Sequence, residues 1–283
     1  MKRLFFSFLL SFLMVTISFA QIKSKQTILW QVSGNGLQQP SYVLGTFHIL
    51  CEEDMIVKEK VIRAIDATQQ LALEVNLTDP NELKDIQNLM LTEKKLSEQL
   101  SPSQVDELRK VLKNEYGREL TEVDNMSVFG LMSLMIAKTV TCSAKGFDME
   151  VLQLAIQKGK SIVGLEHLND QVKLLEKMYT AEEILDQLKE VNHYVENFKE
   201  MKQAFVDEDI QALYEYGTDP KFMSLEAKKQ LLDQRNTNWV KQMPAMMKDK
   251  ATLFAVGSAH LWGKEGVLNL LIQQGYKIKP VFN

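Results

Sequence analysis

The sequence predicts an α/β fold of mixed α+β character: a central mixed, mainly parallel sheet with flanking helices and two helical insertions. Three observations predict it. Apolar runs of strand length alternate with helix-spaced runs at both ends of the chain and in its middle. Two of the strand-like runs, "YVLGTFHIL" (Tyr42–Leu50) and "LFAVGSAHLW" (Leu253–Trp262), stop at a glycine and then present a histidine in the pattern Gly-x-x-His. Between these units lie long amphipathic stretches with helix start and stop signals.

In chain order, "TILWQVSG" and "SYVLGT" are β-rich runs joined by "NGLQQP", where Gly34-Asn35-Gly36 and Pro40 mark a hairpin with a longer loop. Next, "EEDMIVKEKVIRAIDATQQ" carries Ile56, Val57, Val61, Ile62 and Ile65 at helical spacing. "LALEVN" then reads as a short buried strand, Leu71 to Val75, which completes a βαβ unit. The C-terminus repeats the order: strand "TLFAVG", turn "SAHLWGK", helix "EGVLNLLIQQ" closed by Gly275, final strand "YKIKPVF". A half-unit lies between them, helix "DMEVLQLAIQKG" with Asp148 as its expected N-cap and strand "KSIVGLE" after it. The remainder reads as helix. Starts are signalled at Asp79-Pro80 and Ser101-Pro102, and stops at Gly217, Pro220 and Pro244. The predicted organisation is a signal peptide at 1–20 and one α/β domain at 21–283, with helical insertions at about 81–145 and 169–250.

The signal peptide is read from "MKRLFFSFLLSFLMVTISFA", which has a basic start, an apolar run and small residues at Ser18 and Ala20. The run is short for a membrane span, which takes about 20 apolar residues. No cysteine follows the expected cut, so a lipid anchor is not expected, and the mature protein is expected to be periplasmic or secreted with no stable membrane anchor. In such an oxidising compartment Cys51 and Cys142 are expected to form one disulfide; two separate buried thiols are the alternative. The formal net charge is −4 and the basic residues are interspersed with acidic ones, so nucleic acid is not an expected partner.

Ligands of open parallel sheets bind beyond the carboxyl ends of the strands. Four polar side chains fall there: His48, Glu74, Glu166 and His260. Two histidines and two carboxylates from four strands would suit a divalent metal or acid–base chemistry. Taken singly, each has a plainer reading. A lone histidine beside an apolar strand is usually a core residue bonded to a carbonyl. Glu74 is more telling, because a charge inside an apolar strand costs several kcal/mol unless it is paired or ligating; facing solvent from a sheet edge is its alternative. Gly45 and Gly257 would let the strands turn sharply and bring backbone N–H groups close to a substrate. Arg235 is the only arginine after Arg118. It suits a planar fork holding a carboxylate, though from spacing alone it reads as a solvent-facing residue on a helix. His167 and His193 read as surface residues.

Paired "GTFH" and "GSAH", the glutamate of "LALEVN", "GLEHLNDQ" and the "RN" of a late helix resemble the TraB/PrgY/GumN family, in the family's order, from about Ile28 to Phe282. That family includes the Tiki proteins, membrane-tethered metalloproteases acting on Wnt ligands. The resemblance implies a fold similar to erythromycin esterases and ChaN-like proteins. It also implies an active-site and metal-binding set of His48, Glu74 and His260, with manganese or cobalt as the ion and zinc as a further candidate. Glu166, Arg235 and Asn236 match other family positions, and Asp170-Gln171 stands where Glu-Gln is frequent. The function implied is an exported metal-dependent hydrolase of peptides or proteins. The alternatives are a metal-independent esterase-like hydrolase using a His48–Glu74 pair, and a non-catalytic binding protein for haem, a metal or a peptide.

Overall fold

The structure, a computed structural model, describes residues 26–283 apart from Asp85. The expected signal peptide lies outside the described residues. A six-stranded sheet forms the centre. Its strands are β1 (Leu29–Ser33), β2 (Ser41–Thr46), β4 (Gln70–Leu73), β6 (Ser161–Gly164), β7 (Thr252–Gly257) and β8 (Lys277–Pro280), in the order β6-β4-β7-β2-β1-β8. β2, β7, β4 and β6 run parallel, while β1 is antiparallel to both β2 and β8. β8 therefore points the same way as β2 and β7. A two-stranded ladder, β3 (Leu50–Cys51) with β5 (Ala144–Lys145), sits apart.

The central strands are apolar on both faces: all four residues of β4 and five of six in β7 are buried. That is the pattern of a sheet covered on both sides. The longer helices are α1 (Glu59–Ala67), α2 (Pro102–Val111), α3 (Val128–Thr139), α4 (Phe147–Gln157), α5 (Leu168–Met178), α6 (Ala181–Lys189), α7 (Val191–Val206), α8 (Ile210–Gly217), α9 (Gln234–Asp249) and α10 (Val267–Gln273). The sheet and its helices share one core, from Leu29 through Val256 to Leu271. The two insertions build a second core of their own, where Leu108, Leu112 and Leu131 meet Ile184 and Leu188.

The hairpin, both βαβ units and the caps Asp79 and Ser101 form as the sequence predicts. The Ser101 cap is a full capping box with Gln104. Four expectations are corrected. Strand β4 ends at Leu73, so Glu74 is the first residue beyond it rather than a residue inside it. Ile56 and Val57 precede α1 rather than lying on it, and Ile56 is exposed. The helix after Gly146 is capped by Gly146 itself, and Asp148 lies in its first turn with no capping bond. Pro244 does not stop a helix; α9 runs through it. A proline there leaves the carbonyl four residues earlier without its usual donor. That carbonyl, of Val240, accepts instead from Gln274 Nε2 at 3.3 Å.

Cys51 and Cys142 are disulfide-bonded, beside the β3–β5 ladder in which Cys51 opposes Ala144. Among the described residues no helix is long and apolar enough to cross a membrane.

Candidate functional site

Parallel β2, β7, β4 and β6 end on one edge of the sheet, and four side chains from just beyond those ends meet there. β2 leads to His48, β4 to Glu74, β6 to Glu166 and β7 to His260. Helix α9, packed alongside, supplies Arg235 and Asn236.

Arg235 is the post around which the cluster is built. Its Nε donates to Glu166 Oε1 at 2.9 Å, and its Nη2 donates to both Glu74 Oε2 and Glu166 Oε1. Its Nη1 donates to the carbonyl of Leu231 at 3.0 Å and lies 3.3 Å from His260 Nε2. These bonds use every N–H of the guanidinium. Arg235 thus holds two carboxylates and an imidazole in place and does not face solvent as its spacing alone suggests. Its guanidinium also lies over the Trp239 ring, 4.8 Å from the centroid. Burial opposes its charge, and the carboxylates of Glu74 and Glu166 more than restore it.

Glu74 is held from both sides. Its Oε1 accepts from the backbone N–H of Gly257 at 2.7 Å, while its Oε2 faces Arg235. Burial alone would push its carboxyl up; the neighbouring guanidinium overrides that and holds it well below the usual carboxylate range. Gly257 ends β7 at a φ of −52°, open to any residue, and its N–H is held by Glu74. Its need for no side chain comes from close approach: a Cβ there would sit 3.2 Å from Glu74 Oε1, 3.4 Å from His48 Nε2 and 3.6 Å from His260 Cδ2. Gly45 is similar, with Ser258 Oγ 2.8 Å from where its Cβ would be.

His260 is buried, and its protonation follows from its neighbours. Asn236 Nδ2 donates to the carbonyl of Glu265 at 2.8 Å, so Asn236 Oδ1 is the atom 2.6 Å from His260 Nδ1. Nδ1 therefore carries the proton, and Nε2 presents its lone pair to Arg235. Burial first and the Arg235 charge second push its pKa down to about 3, so the ring is neutral. It packs against Trp239, ring centroids 4.5 Å apart.

His48 differs from the others. Its side chain is 59% exposed, against 11% for Glu74, 15% for Arg235 and 18% for Glu166. It stands between two carboxylates, with Nε2 3.7 Å from Glu74 Oε1 and Nδ1 3.4 Å from Asp148 Oδ2. Desolvation works against its charge, but the Asp148 contact and the Glu74 and Asp148 charges outweigh it and raise its pKa. Asp148, read from sequence as a helix cap, is instead a partner of His48. Its other oxygen, Oδ1, is buried with no hydrogen-bond partner. Gln171, whose pattern in the sequence carries no role, donates from Nε2 to Glu166 Oε1 at 2.7 Å. One signal in the sequence pointed to Asp148: a bridge between Cys51 and Cys142 brings the segments carrying His48 and Asp148 together. His167 and His193 are exposed and pair with Glu82 and Glu190, outside the cluster.

The donor types suit a divalent ion, but their arrangement does not. The lone pair of His260 Nε2 and the outer oxygen of Glu74 are both turned to Arg235, whose fixed charge would adjoin the ion. Among the described residues, the one group of ligand atoms close enough to share an ion is Cys51, Glu53 and Asp54, and Cys51 is in the disulfide. As arranged, His48, Glu74 and His260 do not form a metal cradle.

On the open side of His48 lies a cavity of about 450 Å³, whose wall includes His48, Gly257 and His260 and whose other residues come mainly from α3, α7 and α8. No curated protein and no solved structure matches the chain. The model of the TraB/PrgY/gumN family matches residues 28–280, nearly the whole length, and the chain belongs to that family.

Proposed function

We propose that the protein is an exported hydrolase of acyl bonds, peptide or ester, in which His48 moves the proton. The observation that carries this reading is the contrast within the cluster. Glu74, Glu166, Arg235 and His260 are largely covered and hold one another, while His48 opens to a cavity and stands between Glu74 and Asp148. Asp148 on Nδ1 fixes the ring so that Nε2 is the working nitrogen, and two flanking carboxylates favour the imidazolium that forms when the ring takes a proton. His48, its pKa raised to about 9, acts in its neutral form, the minor one at pH 7: water adds to the acyl carbon, its proton passes to Nε2, and the same proton goes to the leaving oxygen or nitrogen as the acyl bond breaks. Glu166, Arg235 and His260 keep Glu74 in register.

Export is supported by the bonded cysteines, which suit an oxidising compartment. Manganese, cobalt or zinc on His48, Glu74 and His260 is the competing reading, and it requires Arg235 to give up His260 Nε2.

The deciding experiment is hydrolysis of peptide and ester panels by the mature protein, with chelator and with each metal. Activity that survives chelator and falls at least about 10²-fold in His48→Ala supports the proposal. The thermal midpoint of that variant should stay within about 2 °C, because an exposed side chain is removed. Activity that vanishes with chelator and returns with manganese or cobalt overturns it in favour of the metal reading. No turnover in any arm overturns the hydrolase and leaves a binding protein.

A further inference from the structure

Resting on the acyl-hydrolase reading, we infer that the cavity beside His48 takes an uncharged hydrocarbon arm of the substrate's acyl group. At about 450 Å³ it falls within the range of small-ligand pockets. Apart from the two histidines its wall carries no charged side chain. Four methionines, Met132, Met135, Met201 and Met223, contribute to it, and their unbranched, flexible chains adapt to an aliphatic partner.

The polar groups of the wall argue for a hydrocarbon over a peptide. An extended peptide needs a donor or acceptor for nearly every backbone group it buries. Here several of those groups are already engaged. Asn197 Nδ2 donates to the carbonyl of Tyr216 at 3.3 Å and Ser258 Oγ to that of Thr46 at 2.8 Å. Thr139 Oγ1 donates to the carbonyl of Met135 at 2.9 Å, and Gly257 N–H to Glu74. One buried group without a partner falls at the reacting end. Thr46, which opposes Gly257 across the β2–β7 ladder, has a buried hydroxyl with no partner. Among the described residues it is the one wall residue so placed, and it could donate to a single acyl carbonyl, leaving the rest of the arm in apolar surroundings.

The test is kcat/KM along p-nitrophenyl esters from acetyl to dodecanoyl, with peptides bearing apolar side chains in parallel. Burying each methylene should raise kcat/KM about fourfold until the cavity is filled. Ile136 lines the wall and is 44% exposed, so Ile136→Glu should fold normally. That variant should lower turnover of the long esters at least about tenfold more than that of the acetyl ester. A second readout needs no turnover: binding of the neutral dye N-phenyl-1-naphthylamine, displaced by 1-decanol and weakened in Ile136→Glu. Dye binding and displacement without hydrolysis of any ester or peptide would sustain the pocket and overturn the hydrolase. Hydrolysis of the acetyl ester with no chain-length preference and no dye binding would overturn the pocket and sustain the hydrolase. Cleavage of apolar peptides without competition from decanol would assign the cavity to peptide and overturn the inference.

Discussion

Glu74 shows how closely fold and chemistry are joined at single residues. Exchanging it for Gln preserves size but leaves Arg235 with half of its compensating charge, in a place where burial already opposes that charge. Breaking a buried pair from one side costs about 3 kcal/mol. Glu74→Gln is therefore expected to lose stability as well as activity, read as a lower urea midpoint with unchanged slope. An unchanged midpoint would mean that solvent screens the pair. Gly257→Ala separates the two properties. The new methyl's three nearest neighbours are the central side chains; Glu74 Oε1 at 3.2 Å must give by a few tenths of an ångström, while His48 and His260 are at ordinary contact distance. Turnover should fall about tenfold or more with the thermal midpoint within about 2 °C of the parent. A variant as active as the parent would show that those three groups need not keep their present spacing.

At the scale of elements, the disulfide acts on the site through two short strands. Cys51 closes β3 just after His48, and Cys142 lies just before β5 and the Asp148 turn. With the cysteines 91 positions apart in sequence, the chain-entropy model gives the bridge about 4.6 kcal/mol. Replacing both cysteines by serine should lower stability by that order. It should also reduce turnover at temperatures where the protein is still folded, because the His48–Asp148 contact loses its brace. A loss of stability with full activity below the melting range would mean that the β3–β5 ladder aligns the two residues unaided. The other elements are positioned by ordinary means: capping at Ser101 and an apolar ladder shared by β2, β7 and β4. Gln274, from beyond α10, compensates the proline in α9.

Across the whole molecule, a second buried charge group ties distant parts together. Glu208, in the turn between α7 and α8, has the positive φ of 60° that disfavours a side-chain-bearing residue. It is held there by Lys60 and by Lys58 at 2.8 Å, and Lys60 also donates to Thr27 Oγ1 at 2.9 Å, ahead of β1. Burial pushes the Glu208 carboxyl up; the two ammonium groups outweigh it and leave its pKa lowered. A carboxylate with a folded pKa below its unfolded value stabilises fully above the unfolded value, about 4.3. The stability is lost as pH falls from there through the folded value. Wild-type stability should exceed that of Glu208→Gln at pH 7, and the gap should narrow below about pH 4. A gap independent of pH would show that the turn geometry, and not the charge, is what Glu208 provides.

The amino-acid order by itself determined the alternation of strand and helix, the parallel strand ends and the residue types placed there. It could do so because His48, Glu74, Glu166 and His260 each follow an apolar run whose direction the βαβ rule fixes. Arg235 could be noticed but not placed. A helix reads the same whether its arginine faces water or two carboxylates, and only the docking of α9 chose between them. Asp148 was hidden for a similar reason, since an acid in the first turn of a helix resembles a cap until the chain around it is closed by the disulfide. Tertiary structure alone decided that Arg235 faces His260 Nε2 and Glu74 Oε2 and that His48 is the member left open. Those outcomes depend on which side chains from strands and a helix far apart in sequence share one small volume, a property of packing that no local pattern encodes.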